Sequence, residues 1–286
     1  MAVVAGFLLT AVQNWTGIAM PHGKSLLFIW LPWFSARLIF TLYPNAHILA
    51  ECLDTLFLIL LIHPIARAIF QVKQYRQMGI LSKLCLLLIA NLLYLSGSLN
   101  WLNQGHHLAL QLGFFLILSL VLTIGRRILP FFIEKGVGYP VTLKNSALKD
   151  KLSLITFLLF FLTEIFTPWH TFASFLALSA ALTQTWRLIG WYTQGIWKKP
   201  LLWSLYLGMI TIIIGLTLYF LRLFFPITNS LALHALAVGG IGIISLSMIG
   251  RVSLGHTGRN IHQPSKWLIF AYTSSSLHFS FAFLCH

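Results

Sequence analysis

Acidic residues are scarce in this chain, and so are charged residues of every kind. Of 286 residues only 5 are Asp or Glu, against 19 Lys or Arg, and the charged fraction is 8%. Soluble globular domains carry about 25% charged residues, so this composition excludes a soluble domain. The hydrophobic fraction of 58% instead predicts a protein that crosses a membrane several times.

Cysteine is also rare, and the common catalytic motifs are absent. Cys52, Cys85 and Cys285 are far apart and form no CxxC pair, so neither a disulfide framework nor a cysteine metal site is indicated. The chain has no nucleotide-binding loop, HExxH motif or GxSxG motif. The formal charge of +14 comes from basic residues between apolar runs, which indicates membrane topology and not nucleic-acid binding.

Long apolar runs supply the predicted fold. A run without alternation is typical of a transmembrane helix and not of a barrel strand. We predict an all-α, polytopic transmembrane helical bundle that forms a single domain over residues 1–286. About nine spans are expected at 25–43, 47–70, 84–99, 108–124, 152–166, 171–189, 201–225, 231–250 and 267–284. Residues 1–12 predict a partial N-terminal helix of about 18 Å, and we expect an upstream segment to be missing.

Basic residues occupy alternate connections between the predicted spans. They lie in the loop that ends at Lys24 and in four later loops, whereas the turns YPNA, NWLNQGHH, TPWH and PITNS contain no Lys or Arg. Cytoplasmic loops of membrane proteins are enriched in these residues. The pattern therefore predicts that the basic loops face the cytoplasm.

The stretch LALHALAVGGIGIISLSMIGRVSLGHTGR, residues 231–259, has a histidine near each end of one apolar helix. About twenty-two residues of mostly helical chain hold His234 and His256 roughly 30 Å apart, so they cannot share a metal. Ionisable groups inside a membrane span are usually functional, and we predict a ligand or other buried functional role for His234.

Three other histidines lie at the same outer ends of the predicted spans. A metal site that uses His234 would have to recruit His106, His107 or His170, because imidazole binds haem iron and copper. The alternative is that each of these is an interfacial histidine that hydrogen-bonds to water or carbonyl groups.

The inner end of the stretch, RVSLGHTGR, combines Arg251, His256 and Arg259 with two glycines. This density of donors suits an anionic group, such as a haem propionate, a phosphate or a lipid headgroup. The alternative is a positively charged anchor with a turn. Small residues at 235, 239 and 242 favour close helix packing, or the approach of a flat cofactor.

Few charges lie inside the predicted spans, and a hairpin brings three of them to similar depth. Arg37 precedes the YPNA turn, and Glu51 and Asp54 follow it. We predict a structural pair between Arg37 and either Asp54 or Glu51. For Glu164 the sequence indicates no partner, and a metal ligand, a proton-handling group and an interfacial side chain remain open.

Several long motifs in order resemble the NnrS family. They are VAGFLLTAVQNWTG at 4–17, IGRRILPFF at 124–132, WRLIGW at 186–191, KKPLLWSLYLG at 198–208 and the stretch 231–259. The resemblance covers almost the whole chain. The family's histidine-rich N-terminal motif is missing, Tyr206 replaces an expected histidine, and the tail beyond Gln263 diverges, which suggests a truncated member.

The resemblance implies a multi-pass protein of the bacterial inner membrane that contributes to nitric oxide tolerance and carries haem and copper. Its partners would be the lipid bilayer and nitric oxide or a related small molecule. Expected cofactor-binding residues are His234, Arg251, His256, Arg259 and Arg127, and expected metal ligands are His234, His106, His107 and His170. The alternatives are a small-molecule or ion transporter, for which the His63–Pro64 break is the only hint, and a non-catalytic truncated remnant.

Overall fold

The computed structural model describes residues 2–259 and 264–284, and every regular element within these ranges is helical. The prediction of an all-α fold is therefore confirmed. The helices are α1 Ala2–Thr16, α2 Lys24–Leu42, α3 His47–Gln71, α4 Met78–Ser98, α5 Gly105–Gly136, α6 Ala147–Phe166, α7 His170–Gly190, α8 Pro200–Leu221, α9 Asn229–His234, α10 Ile243–His256 and α11 Lys266–Leu284. Helices lie at each predicted apolar run, although the run 201–225 extends beyond the end of α8 and the run 231–250 extends from α9 into α10.

Six helical segments in the described ranges are long and apolar enough to cross a membrane. They are Lys24–Leu42, Pro44–Gln71, Tyr75–Ser98, Gly105–Gly136, Pro200–Leu221 and Asn229–Gly255. The predicted count of about nine spans is therefore not confirmed. The reason is clear in α6, whose apolar part is bounded by the charged residues Lys149, Asp150 and Lys151 at one end and Glu164 at the other.

Large apolar side chains point outward from many helices. Phe28 on α2 is 71% exposed, Leu110 on α5 is 64% exposed and Leu182 on α7 is 61% exposed. Exposed apolar surface on this scale is not tolerated in a soluble monomer. These side chains are suited to contact with lipid, and the chain is accordingly a membrane protein.

The chain divides into two compact units, Met1–Leu120 and Val121–His286, and the division falls within α5. In the first unit, α3 packs against α1, α2 and α4. Its core contains fully buried Ala36, Leu61 and Ile65. The interpretation of the whole chain as one domain stays a prediction.

In the second unit, α7 packs between α6 and α8, and α8 packs in turn against α9 and α10. Glycines allow α8 to approach the segment that runs from α9 to α10. A methyl group added to Gly208 would lie 2.5 Å from Ile244 Cγ1, and one added to Gly215 would lie 2.6 Å from Leu236 Cγ. A methyl group on Gly240 would lie 2.5 Å from Ile212 Cγ1. Backbones approach closely along this seam, as small residues allow in membrane helices.

The helix predicted at 231–250 is a longer rod with an irregular centre. It begins as α9, widens into a π-helix over Ala235–Gly242, and continues as α10. The sequence did not indicate the π-helix. Because such segments occur often at functional sites, this irregularity singles out the rod among the helices described.

Two other helices are more continuous than the sequence suggests. Helix α3 runs through Pro64 without interruption, so the one hint of the broken helix that a transporter would need is not realised. Helix α5 continues past Arg126 and Arg127 to Gly136, with Pro130 inside it. The first part of this basic connection is therefore helical.

Candidate metal and cofactor site

His234 is the last residue of α9 and lies directly before the π-helix. Its Nε2 atom is buried and has no hydrogen-bond partner within the described ranges. Leaving a buried polar group unpaired costs about 1–3 kcal/mol, so native structures rarely keep one without a reason. The Nε2 lone pair or proton is thus available to a ligand.

The start of α9 holds the His234 backbone in place. The Thr228 hydroxyl accepts a hydrogen bond from the Leu231 N–H at 3.3 Å and caps the helix. Arg222 Nη1 donates to Asn229 Oδ1 in a short hydrogen bond. Since His234 follows Asn229 by five residues, it lies about 8 Å farther along the helix axis.

The same Arg222 forms an ion pair that the sequence did not reveal. Its Nη2 donates to both carboxylate oxygens of Glu164 at 3.0 Å, and the guanidinium lies 4.8 Å from the centre of the Tyr219 ring. Glu164 therefore has a partner. Both residues lie at the ends of their helices, and this shared depth was the signal that could have paired them.

His170 lies at the edge of this pair and not in a ligand cage. Its Nδ1 is 3.6 Å from Glu164 Oε2, and its side chain is 65% exposed. An imidazole in this position can hydrogen-bond to water and strengthen its contact with the carboxylate when it is protonated. An exposed imidazole beside a carboxylate fits the interfacial alternative for His170, and neither that alternative nor the ligand role is tested by this contact.

In the first unit His106 takes part in a chain of hydrogen bonds. Ser98 Oγ donates to Glu51 Oε1 at 2.7 Å and lies 2.9 Å from His106 Nε2. Because the single hydroxyl proton is used for Glu51, Nε2 must donate to Ser98 in this arrangement. The His106 ring also contacts Tyr94 edge to face, with the ring centroids 4.6 Å apart.

His107 points elsewhere, as expected for neighbours on a helix. Its Nε2 lies 3.3 Å from Gln111 Nε2, one turn farther along α5, and the side chain is exposed. His106 and His107 thus use their Nε2 atoms in separate hydrogen bonds.

The structure does not gather the predicted metal ligands into one cluster. Within residues 2–259 and 264–284, no three His, Cys, Asp or Glu side chains form a group that could hold a metal ion. His106 and His107 belong to the first unit, and His170 and His234 to the second. A metal-ligating role for these four residues stays a prediction.

At the other end of the rod, the Arg251 guanidinium packs over the Phe132 ring, 3.8 Å from its centre. This cation–π contact holds a charged side chain that is only partly exposed. Arg259 is exposed, and Arg127 is partly buried and already engaged in an interaction. The side chain of His256 lies outside the described part of the chain.

The hairpin of α2 and α3 confirms the predicted pair. Arg37 Nη2 donates to Asp54 Oδ2, and the same guanidinium lies 5.1 Å from the centre of the Phe40 ring. Of the two carboxylates, Asp54 is the partner, because Glu51 is 3% exposed and instead accepts from Ser98.

The motif WRLIGW forms a junction that sequence reasoning used only as a family marker. Trp191 Nε1 donates to Asn145 Oδ1 at 2.7 Å, and Lys144 N–H donates to the Gly190 carbonyl at 3.2 Å. Tyr206, which stands where a histidine was expected, is buried and donates to the Leu188 carbonyl at 3.1 Å. Its hydroxyl therefore has a structural use.

The loop beside this junction is tied down by Tyr139. Its hydroxyl forms a short hydrogen bond with Thr193 and accepts from the Gly195 N–H at 3.1 Å. The pKa of Tyr139 is lowered below its ordinary value, mainly by the hydrogen bond with Thr193 and to a lesser degree by the hydrogen bond from Gly195. Both interactions stabilise the phenolate relative to the phenol.

Comparison with known proteins gives one result. The model of the NnrS protein family matches residues 1–281. No curated protein and no solved structure matches the chain. The matched range contains His234, the Glu164–Arg222 ion pair and RVSLGHTGR, whose residues 251–256 form the end of α10 and not the compact loop expected from the sequence.

Proposed function

Because the chain belongs to the NnrS family, we propose that it is an inner-membrane protein of the bacterial response to nitric oxide. In this proposal it binds haem within the bilayer, and His234 supplies the protein ligand to the iron. Nitric oxide is the small molecule that the cofactor would bind. The proposal makes the membrane helices a scaffold for one intramembrane imidazole.

The observation that carries the proposal is the buried, unpartnered Nε2 atom of His234. A neutral imidazole nitrogen is a good ligand for haem iron. The π-helix that starts at the next residue supports a functional role, and so does the position of an ionisable group inside an apolar segment.

The ligands available favour haem over an isolated copper ion. Because the porphyrin itself supplies ligands to the iron, a single protein imidazole would be enough to hold haem, and His234 would provide it. Copper sites combine several nitrogen or sulfur ligands, and no group of three candidate ligands is formed by the residues described. We therefore assign His234 to haem and no described residue to copper.

Within this site the chain's own residues position the His234 imidazole. The Arg222 contacts with Glu164 and Asn229 hold the start of α9, and the apolar side chains of the rod exclude water from the imidazole. When bound, haem would supply an iron centre with affinity for nitric oxide. The protein's part is to present Nε2 at a fixed depth.

We assign the basic residues at the far end of the rod to a separate role. Arg251 follows His234 by 17 residues, which is about 25 Å of helix and too far for both to hold one haem. Together with Arg127 and Arg259 it is suited to anionic lipid headgroups at the cytoplasmic surface. His256 is the last residue of α10, and we propose the same role for it from its place in the sequence.

The topology proposal follows from the alternating basic loops. We propose nine spans, with the loops after α3, α5, α7 and α10 in the cytoplasm. In this arrangement α6, α7 and α11 cross the bilayer in addition to the six segments that satisfy length and hydropathy. Neighbouring helices would shelter the charged ends of α6.

Haem content tests the central assignment. Wild-type protein, His234→Ala and the control His63→Ala are purified from haem-supplemented cells, and haem is measured by the pyridine haemochrome method. His63 is exposed on α3 in the other unit. We expect the haem content of the His234→Ala protein to be at least about tenfold lower than that of wild type. The haem content of His63→Ala should equal that of wild type. Equal haem in wild type and His234→Ala would contradict the assignment.

A further inference from the structure

Arg187, within the WRLIGW motif on α7, is a buried charged residue that the proposed function does not use. Its side chain is 2% exposed. The guanidinium lies 4.7 Å from the centre of the Trp191 ring, which is also buried. A guanidinium is always charged and carries five N–H donors that burial removes from water.

Two of these five N–H donors form hydrogen bonds, since Nη1 donates to Ser153 Oγ at 2.8 Å and to Gln184 Oε1 at 2.9 Å. Nε lies 3.2 Å from Asp150 Oδ1 in an ion pair, but its N–H makes no hydrogen bond within the described residues. Nη2 is buried and makes no hydrogen bond to any described residue. Its two N–H groups therefore lack an acceptor among the described residues.

Gln184, one turn earlier on α7, adds two more donors. Its side chain is completely buried, and its Oε1 accepts from Arg187 Nη1. This hydrogen bond fixes the orientation of the amide, so that Nε2 and not Oε1 is the atom left over. Nε2 is likewise buried without an acceptor in the part of the chain that the structure describes.

The local charges leave the same region positive. Arg126 on α5 acts electrostatically on Arg187, as does Asp150. Two guanidinium charges and one carboxylate charge sum to +1. A single negative charge placed among these groups would neutralise them, and buried charges require such compensation.

We propose that Arg187 and Gln184 form a binding site for a small planar monoanion, a carboxylate or a nitrate-like oxyanion. The two N–H groups of Arg187 Nη2 can donate to the oxygens of such a group, and the Gln184 amide donates to a further acceptor position. The burial of Arg187 argues against a phospholipid headgroup, because the acyl chains hold that headgroup at the bilayer surface.

Calorimetry on the whole purified chain in detergent tests this site. Sodium nitrate and sodium acetate are titrated into wild-type protein, and phosphatidylglycerol micelles are titrated separately. We expect saturable binding of one anion per chain and no Arg187-dependent binding of the lipid. Absence of saturable nitrate or acetate binding to wild type would overturn the proposal, since water would then satisfy the donors.

Variants locate the binding. Arg187→Gln should weaken anion affinity at least tenfold, and the control Arg67→Gln, an exposed arginine on α3, should bind as wild type does. Gln184→Glu keeps Arg187 and places a carboxylate beside it, so it should abolish binding while the helical circular dichroism stays unchanged. This second variant decides the matter if Arg187→Gln fails to fold.

Wild-type affinity in Gln184→Glu, or in a folded Arg187→Gln protein, would overturn the site. The result is independent of the haem proposal, because binding is measured without haem and His234→Ala should leave it intact.

Discussion

Single charged residues show how this chain tolerates ions within apolar helices. Glu164 and Arg222 are 11% and 12% exposed and pair through two hydrogen bonds of 3.0 Å. Such a pair adds little compared with an apolar pair, yet removal of one partner leaves the other charged and unsatisfied. The residues matter as a pair, and they hold the start of the helix that carries His234.

This asymmetry gives a double-mutant prediction. Arg222→Leu should lower the free energy of unfolding by about 3 kcal/mol, because Glu164 is left without its cation. Adding Glu164→Leu should recover part of the loss. Reversible unfolding in mixed micelles measures both, with His170→Ala as a control that costs less than about 1 kcal/mol. A double variant as unstable as the sum of the single ones would contradict the pairing argument.

Residue pairs were predictable from the sequence only where the two residues are close along the chain. Arg37 and Asp54 are joined by one tight turn, so a hairpin register was enough to pair them. Glu164 and Arg222 are 58 residues apart, and two intervening helices must be placed before they can meet. The unpaired donors of Arg187 and Gln184 were also hidden, because only packing shows that they are buried.

At the scale of elements, the contact of α8 with the rod depends on missing side chains. Gly208, Gly215 and Gly240 each leave room for one branched side chain of the facing helix. Of the small-residue face expected at 235, 239 and 242, Ala235 and Gly239 are buried, whereas a methyl on Gly242 would meet only the Ala237 carbonyl, at 3.4 Å. Gly240, which was not part of the expected face, makes the close contact with Ile212. No sequence pattern indicated the π-helix that contains these residues.

The seam predicts opposite effects for the same substitution. Gly215→Ala should destabilise the protein by about 1–3 kcal/mol, because its methyl group overpacks against Leu236. Gly113→Ala has open space around it and should be stabilising by about 0.5–1 kcal/mol, as alanine is the better helix former. Unfolding in micelles compares them, and a stabilising Gly215→Ala would show that the helices are not this close.

At the scale of the whole molecule, composition predicted a membrane protein and the long apolar runs without alternation predicted an all-α fold. Helices lie at every predicted apolar run. The number of spans was less accessible. Charged residues at both ends of α6 and polar residues along α7 lower their hydropathy, and only the packing of neighbouring helices can offset this. Hydropathy thus indicates which helices can cross a membrane by themselves, whereas loop charge indicates on which side each connection lies.

Loop orientation gives the corresponding prediction. In a background without native cysteines, Thr142→Cys after α5 and Asn103→Cys before it are both exposed positions. A membrane-impermeant maleimide added to intact spheroplasts should label Asn103→Cys and should label Thr142→Cys only after lysis, because basic loops stay in the cytoplasm. Labelling of both positions, or the reverse pattern, would contradict the proposed topology.

The visible absorption spectrum of the purified protein, recorded before and after addition of nitric oxide, tests the account most directly. We predict a Soret band in the wild type that shifts when the gas is added, and that is lost in His234→Ala but kept in His63→Ala. A featureless spectrum of wild-type protein from haem-supplemented cells would contradict the claim that His234 binds haem within the membrane. A Soret band that shifts unchanged in His234→Ala would contradict it as well.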